Sequence, residues 1–155
     1  MTMNGVRDKE GQVSIGPLTG IVGYHIAQAK VRTYDAFERH IGKPFGLRKV
    51  EFSLLMLLQA NQALSPKQLS QTLTLTAPTL TTLLDRLQER GLIRRDRNPA
   101  DGRSQHIVLT EAGRKTARDS AAAAQPMERE LQQGLSPAEH AMLIELLTKL
   151  AGGPA

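Results

Sequence analysis

Residues 65–109 read SPKQLSQTLTLTAPTLTTLLDRLQERGLIRRDRNPADGRSQHIVL. Ser65 ahead of Pro66 is a helix-start signal, because the hydroxyl can accept from a free backbone N–H and proline tolerates the first helical position. Leu69 and Leu73 then share one face of a short helix over 66–73. Thr74-Leu75-Thr76 reads as a tight turn. Thr76 serves as N-cap of a second helix over 77–90, with Pro78 in its first turn and Leu80, Leu83, Leu84 and Leu87 at three- and four-residue spacing. Gly91 suits the left-handed residue that ends a helix. Beyond it the period drops from 3.6 to 2. Leu92 to Arg97 reads as a strand, Asn98 to Arg103 as a turn by composition, and Ser104 to Leu109 as a returning strand. That strand sets Ile107 and Leu109 against His106 and Val108.

Outward from this stretch the chain is helical. Leu47 to Ala60 is apolar on most of its circumference, the mark of a core helix. Upstream, Leu18, Ile21, Val22, Ile26 and Ala29, then Phe37 and Ile41, predict one amphipathic helix from Pro17, ended by the Gly42–Gly46 segment. Residues 1–16 read as a loose tail. Downstream, Thr110 caps a helix from Glu111 through Ala117, Ala121 and Ala124, which Pro126 is expected to kink or end. Ser136-Pro137-Ala138-Glu139 has capping-box spacing and opens a last helix carrying Met142, Leu143, Leu146, Leu147 and Leu150, closed by Gly152-Gly153-Pro154. The expected fold is mainly α with a small β-hairpin wing. Two short helices across a brief turn let the second lie in a major groove, and the hairpin sits beside it: a winged helix-turn-helix.

Charge agrees with this plan. The 155 residues carry 20 Lys+Arg against 15 Asp+Glu, a net +5. Ser65 to Lys115 holds nine of the cations and five of the anions, so four of the five surplus charges fall on the proposed reading element, as phosphate neutralisation requires. Aromatics make up 3% of the chain, too few for a base-stacking platform. With no cysteine there is no disulfide, thiolate metal site or thiol redox sensor. The opening residues lack the apolar run of a signal peptide, and no stretch reaches the roughly 18 apolar residues of a membrane span. A cytoplasmic protein with no membrane partner is expected. His25, His40, His106 and His140 never pair at i,i+4, so no metal site is expected. No nucleophile elbow or phosphate-binding glycine loop occurs, which argues against an enzyme and against a cofactor.

Leu64-Ser65-Pro66-Lys67-Gln68-Leu69, Thr79-Leu80-Thr81, the run from Leu83 to Arg95, Asp101-Gly102-Arg103 and Val108 to Gly113 together resemble the MarR family of bacterial transcriptional regulators. The likeness is dense from about Leu47 to Arg114. It implies a homodimer whose dimerisation region is built from an N-terminal helix over 17–46 and C-terminal helices over 111–155. It also implies a DNA-binding domain over 47–110 that reads double-stranded DNA at a near-palindromic site, and release by a small aromatic or anionic effector. On that resemblance the helix over 77–90 is the recognition helix, with Thr76, Thr79, Thr81 and Thr82 outward and Arg86 toward a phosphate. Many members carry arginine at the position of Thr82. In the wing, Asp101 and Arg103 match the family's Asp-x-Arg, the middle position being Gly102 rather than the frequent arginine. Arg103 is expected in a minor groove, with Asp101 orienting its guanidinium or pairing with Arg95, and with Arg97 assisting from the strand. An effector pocket is expected from His25, Arg32, His40 and Arg48, with Phe52 and Met56 as its apolar wall. Two readings stay open: a ligand-responsive regulator, a repressor by family habit, and a non-specific architectural DNA binder without ligand control.

Overall fold

A computed structural model describes residues 13–153. The first 12 residues of the expected tail, and Pro154 of the expected terminator, lie outside it. The elements run α1 (Val22–Phe37), α2 (Lys43–Phe45), α3 (Lys49–Asn61), β1 (Ala63–Leu64), α4 (Pro66–Thr72), α5 (Ala77–Glu89), β2 (Ile93–Arg97), β3 (Gln105–Leu109), α6 (Glu111–Leu131) and α7 (Pro137–Leu150).

The helix starts follow the local chemistry. Ser65 Oγ accepts from the Gln68 N–H at 3.2 Å, while the Ser65 N–H donates to Gln68 Oε1 at 2.9 Å. Thr76 and Thr110 cap α5 and α6 through the N–H groups of Thr79 and Gly113. Ser136 and Glu139 exchange the same reciprocal bonds at α7, which hold the Glu139 carboxyl below its usual range. Gly91, at φ +69°, turns the chain out of α5, and the Leu92 N–H closes back on Leu87 O at 3.0 Å. Thr74, at φ +54°, makes the turn between α4 and α5.

The wing holds one strand more than the expected hairpin. The sheet order is β1-β3-β2, all antiparallel, with Leu64 opposite Ile107 and Arg95 opposite Ile107 on the other side. β1 is two residues long and has no period of its own; only its pairing to β3 defines it. Leu54, Leu55, Leu58, Leu69, Leu80, Leu84, Leu87, Ile93, Ile107 and Leu109 form the core beneath this sheet.

Two further expectations are corrected. The first helix is not continuous from Pro17. Gly16–Gly20 is a short 3₁₀ turn, α1 starts at Val22, and Glu38–Gly42 widens into a π turn before α2. The Glu38 carboxyl folds over Gly42, 2.8 Å from where a Cβ would sit, a contact that the flexible side chain could relieve. Pro126 does not end α6, which runs on to Leu131. Its missing N–H would have bonded the carbonyl of Ala122, an exposed residue.

Gly113 marks the tightest approach between α6 and the sheet. A Cβ there would lie 1.9 Å from Leu92 O, the carbonyl that accepts the Thr110 N–H at 3.1 Å. Gly113→Ala should therefore destabilise the fold by about 1–3 kcal/mol through overpacking, despite alanine's better helix propensity. Chemical denaturation measures it.

Candidate nucleic-acid interface

The N-terminal half of α5 presents a threonine face. Thr76, Thr79, Thr81 and Thr82 are all exposed. Their hydroxyls are ordered by their own helix: Thr76 Oγ1 meets Thr79 Oγ1 at 2.8 Å, and Thr81 and Thr82 donate to the carbonyls of Ala77 and Pro78 at 3.0 and 3.2 Å. Each oxygen keeps lone pairs, and each side chain a methyl group, for a groove edge.

The cations of α5 point elsewhere. Glu51 of α3 is wholly buried. Arg86 Nε lies 2.9 Å from its Oε1 and Arg90 Nη1 lies 3.7 Å from its Oε2. The Arg86 contact is close but not aligned as a hydrogen bond, so Oε1 has ionic company without a donor. Oε2 accepts the Arg48 N–H at 2.8 Å. Arg90 also donates to Gly46 O and Phe45 O. Arg86, expected to reach a phosphate, is thus held against α3, and this cluster fixes α5 to the start of α3. Sequence reading overlooked Glu51 and Arg90, although Glu51 falls on the stripe of Leu54, Leu55 and Leu58, where a buried charge demands a partner.

In the wing, Arg94 pairs with Asp96 at 2.9 Å, and that hydrogen bond raises its already high pKa. Arg95 reaches back to α5, donating to Gln88 Oε1 and Asp85 Oδ1 at 2.6 Å each. The expected Asp101–Arg95 pair is therefore absent. Nor does Asp101 hold the Arg103 guanidinium: its Oδ1 accepts the Arg103 backbone N–H at 3.0 Å and its carbonyl accepts the Ser104 N–H at 3.0 Å. Asp101 shapes the tip, a short side chain bonding the backbone two residues on. Arg97 and Arg103 are exposed, and among the described residues no carboxylate lies within ion-pair distance of either.

The MarR family model matches residues 47–105, from just before α3 to the start of β3. A transcriptional repressor, CouR, solved bound to a 23-mer DNA duplex, is 30% identical, with 90% of this chain and 99% of that one covered at a TM-score of 0.83. The chain belongs to the MarR family. A Pseudomonas aeruginosa protein described as a probable transcriptional regulator is 32% identical, covering 86% of this chain and 98% of its own at a TM-score of 0.78. A Thauera aromatica protein named for transcriptional regulation of the hcr operon is 26% identical over 135 residues, 87% of this chain and 81% of that protein.

As a MarR-family member the protein is a DNA-binding transcriptional regulator with a winged helix, not an enzyme. Among the described residues no helix is long and apolar enough to cross a membrane, and no three metal-ligating side chains cluster.

The six residues expected to line an effector pocket meet the following partners. His25 Nε2 lies 2.8 Å from Thr19 O. Arg32 donates to Glu130 O at 3.1 Å, and His40 Nε2 sits 2.9 Å from Glu130 Oε2. Phe52 stacks edge-on against Phe37 with centroids 5.9 Å apart, and Met56 is half-buried on the core. Arg48 lines a cleft beside α5 instead.

What gathers Arg32, Arg39 and His40 is Glu130, near the end of α6. Arg39 grips its carboxylate with both Nη atoms, and chiefly that hydrogen bonding, with His40 next, brings the Glu130 carboxyl from 4.5 down to about 2. A carboxyl depressed on folding adds stability above its unfolded pKa and loses it as pH falls through the folded one. The protein should therefore lose thermal stability between pH 4.5 and about 2 in a step that Glu130→Gln removes. Melting curves across that range test this, and an identical acid limb in the variant would refute it.

Proposed function

We propose that this regulator is a homodimeric repressor that binds a near-palindromic operator and is released by a small aromatic or anionic molecule. The observation that carries the dimer is an apolar surface at both chain ends. No residue of α7 is fully buried; Met142, Leu143, Ile144, Leu146, Leu147 and Leu150 are 43–59% exposed, and Leu18, Ile21, Val22, Ile26 and Val31 near the other end are 41–62% exposed. A folded monomer seldom leaves so many neighbouring apolar side chains in water, and a second copy offers the same surface, as a two-fold interface needs. Repression is favoured by the likeness to CouR, itself a repressor bound to DNA. The absence of cysteine removes thiol oxidation as a signal and favours a reversibly bound ligand.

Two recognition helices in one dimer should address half-sites about one helical turn apart, roughly 34–36 Å. Light scattering gives the mass in solution, and mobility shift on the gene's own upstream DNA gives the specificity. Equal affinity for unrelated DNA would favour the architectural reading. Benzoate-type acids, screened by thermal shift and then against the DNA complex, test release. A stabilising acid that leaves DNA affinity unchanged would count against effector control.

A further inference from the structure

Arg48, Val50, Leu75, Thr79, Thr82, Leu83 and Arg86 line a cleft of about 280 Å³ between the start of α3 and the side of α5. Arg48 is exposed. Its backbone is pinned by the 2.8 Å bond from its N–H to Glu51 Oε2, and no carboxylate among the described residues lies within ion-pair distance of its guanidinium. Its neighbour Lys49 is turned to the other side, 4.4 Å over the Tyr34 ring. No carboxylate is among the residues lining the cleft, and Arg86 is paired with the buried Glu51, so Arg48 is its uncommitted charge.

We propose that this cleft is a binding site for a DNA backbone phosphate, with Arg48 as its cation and the Thr79 and Thr82 hydroxyls beside it. The inference rests on α5 being the helix that enters the major groove. A helix with its side chains is about 10–12 Å across and the groove is about 12 Å wide. The flank of an inserted helix therefore lies against a groove wall, and the wall is phosphate. A cleft opening beside Thr79 and Thr82, on the flank rather than the tip, meets that wall. The cations of α5 cannot serve as well, since Arg86 and Arg90 are engaged with Glu51 and with the carbonyls of Phe45 and Gly46. Arg48 thus completes from α3 a surface that α5 leaves neutral. An organic anion would suit the same guanidinium, and the experiment separates the two.

Fluorescence anisotropy should follow a labelled duplex from the upstream region and an unrelated duplex of equal length, from 50 to 300 mM KCl. Arg48→Ala should weaken both by a similar factor of about 3–10 and reduce the slope of log affinity against log salt by about one. Arg48→Lys should restore most of the affinity, and the melting temperatures of both variants should match wild type. Unchanged affinity and slope in Arg48→Ala would overturn the proposal. So would a loss confined to the upstream duplex, which would mean base reading. Normal DNA binding with weaker benzoate binding would overturn it in favour of an effector seat. Wild-type protein with no salt-sensitive binding would sink both this site and the groove assignment of α5. Salt-sensitive wild-type binding with a silent Arg48→Ala would sink this site alone.

Discussion

Arg86→Ala should lower the free energy of unfolding by about 3 kcal/mol, the low end of the ~3–5 range for stripping one partner from a buried ion pair. Glu51 has no exposure at all, and Arg86 is the guanidinium nearest its carboxylate, at 2.9 Å. Removing it leaves a charge out of water with Arg90 at 3.7 Å and one backbone N–H. Those two survivors, and the 38% exposure of the Arg86 side chain, keep the cost at the low end. Urea denaturation at fixed protein concentration measures it, since any dimer makes stability concentration-dependent. The double variant Glu51→Leu with Arg86→Met should return to within about 1 kcal/mol of wild type, because an apolar pair of similar volume replaces charges that needed desolvating. The same pair of variants decides what Arg86 does. If it is scaffold, the double variant binds DNA within a few-fold of wild type. A more than tenfold loss at restored stability would return Arg86 to the phosphate contact that its place on the recognition helix suggested.

That example shows where sequence reading succeeded and where it stopped. Ser65, Thr76, Thr110 and Ser136 were legible because a cap is local: hydroxyl and N–H lie within three residues. The turn at Gly91 and the alternation of Ile107 and Leu109 were legible for the same reason. β1 was not, because two residues acquire strand geometry only from partners more than forty positions away. Charge and aromatic character alone point to the effector set, yet the direction of a long side chain is set by what it meets. For Arg32 and His40 that is Glu130, ninety residues or more on. Arg48 shows the same limit: grouped with His25 and Arg32 by charge, it lies instead beside Thr79 and Thr82. Glu51 is the instructive miss, since its place on the buried stripe of α3 carried the signal, and the search for its counter-ions would have led to Arg86 and Arg90.

Arg103→Ala should weaken binding to the upstream DNA by roughly 10- to 100-fold near 0.15 M salt, the range of about 1–3 kcal/mol expected for a reading arginine. The wing's charges sort themselves by partner. Arg94 is neutralised by Asp96, and Arg95 is drawn back to Asp85 and Gln88. Arg97 and Arg103 alone stand exposed without such a partner among the described wing residues. Of the two, Arg103 sits at the tip, its backbone fixed by Asp101 Oδ1. A fixed tip lets the side chain enter a groove without first ordering the turn. A narrow minor groove concentrates negative potential and admits a weakly hydrated guanidinium more readily than an ammonium. Arg103→Lys should therefore recover the salt dependence but not the preference for duplexes whose flanking steps are A·T-rich. Asp101→Ala should cost less than Arg103→Ala, because it loosens the tip without removing the charge. Gel filtration of all three should match wild type, since the wing lies apart from the apolar chain ends. An Arg103→Ala protein with undiminished affinity would take the wing out of DNA reading and leave recognition to the threonine face of α5 and the cation beside it.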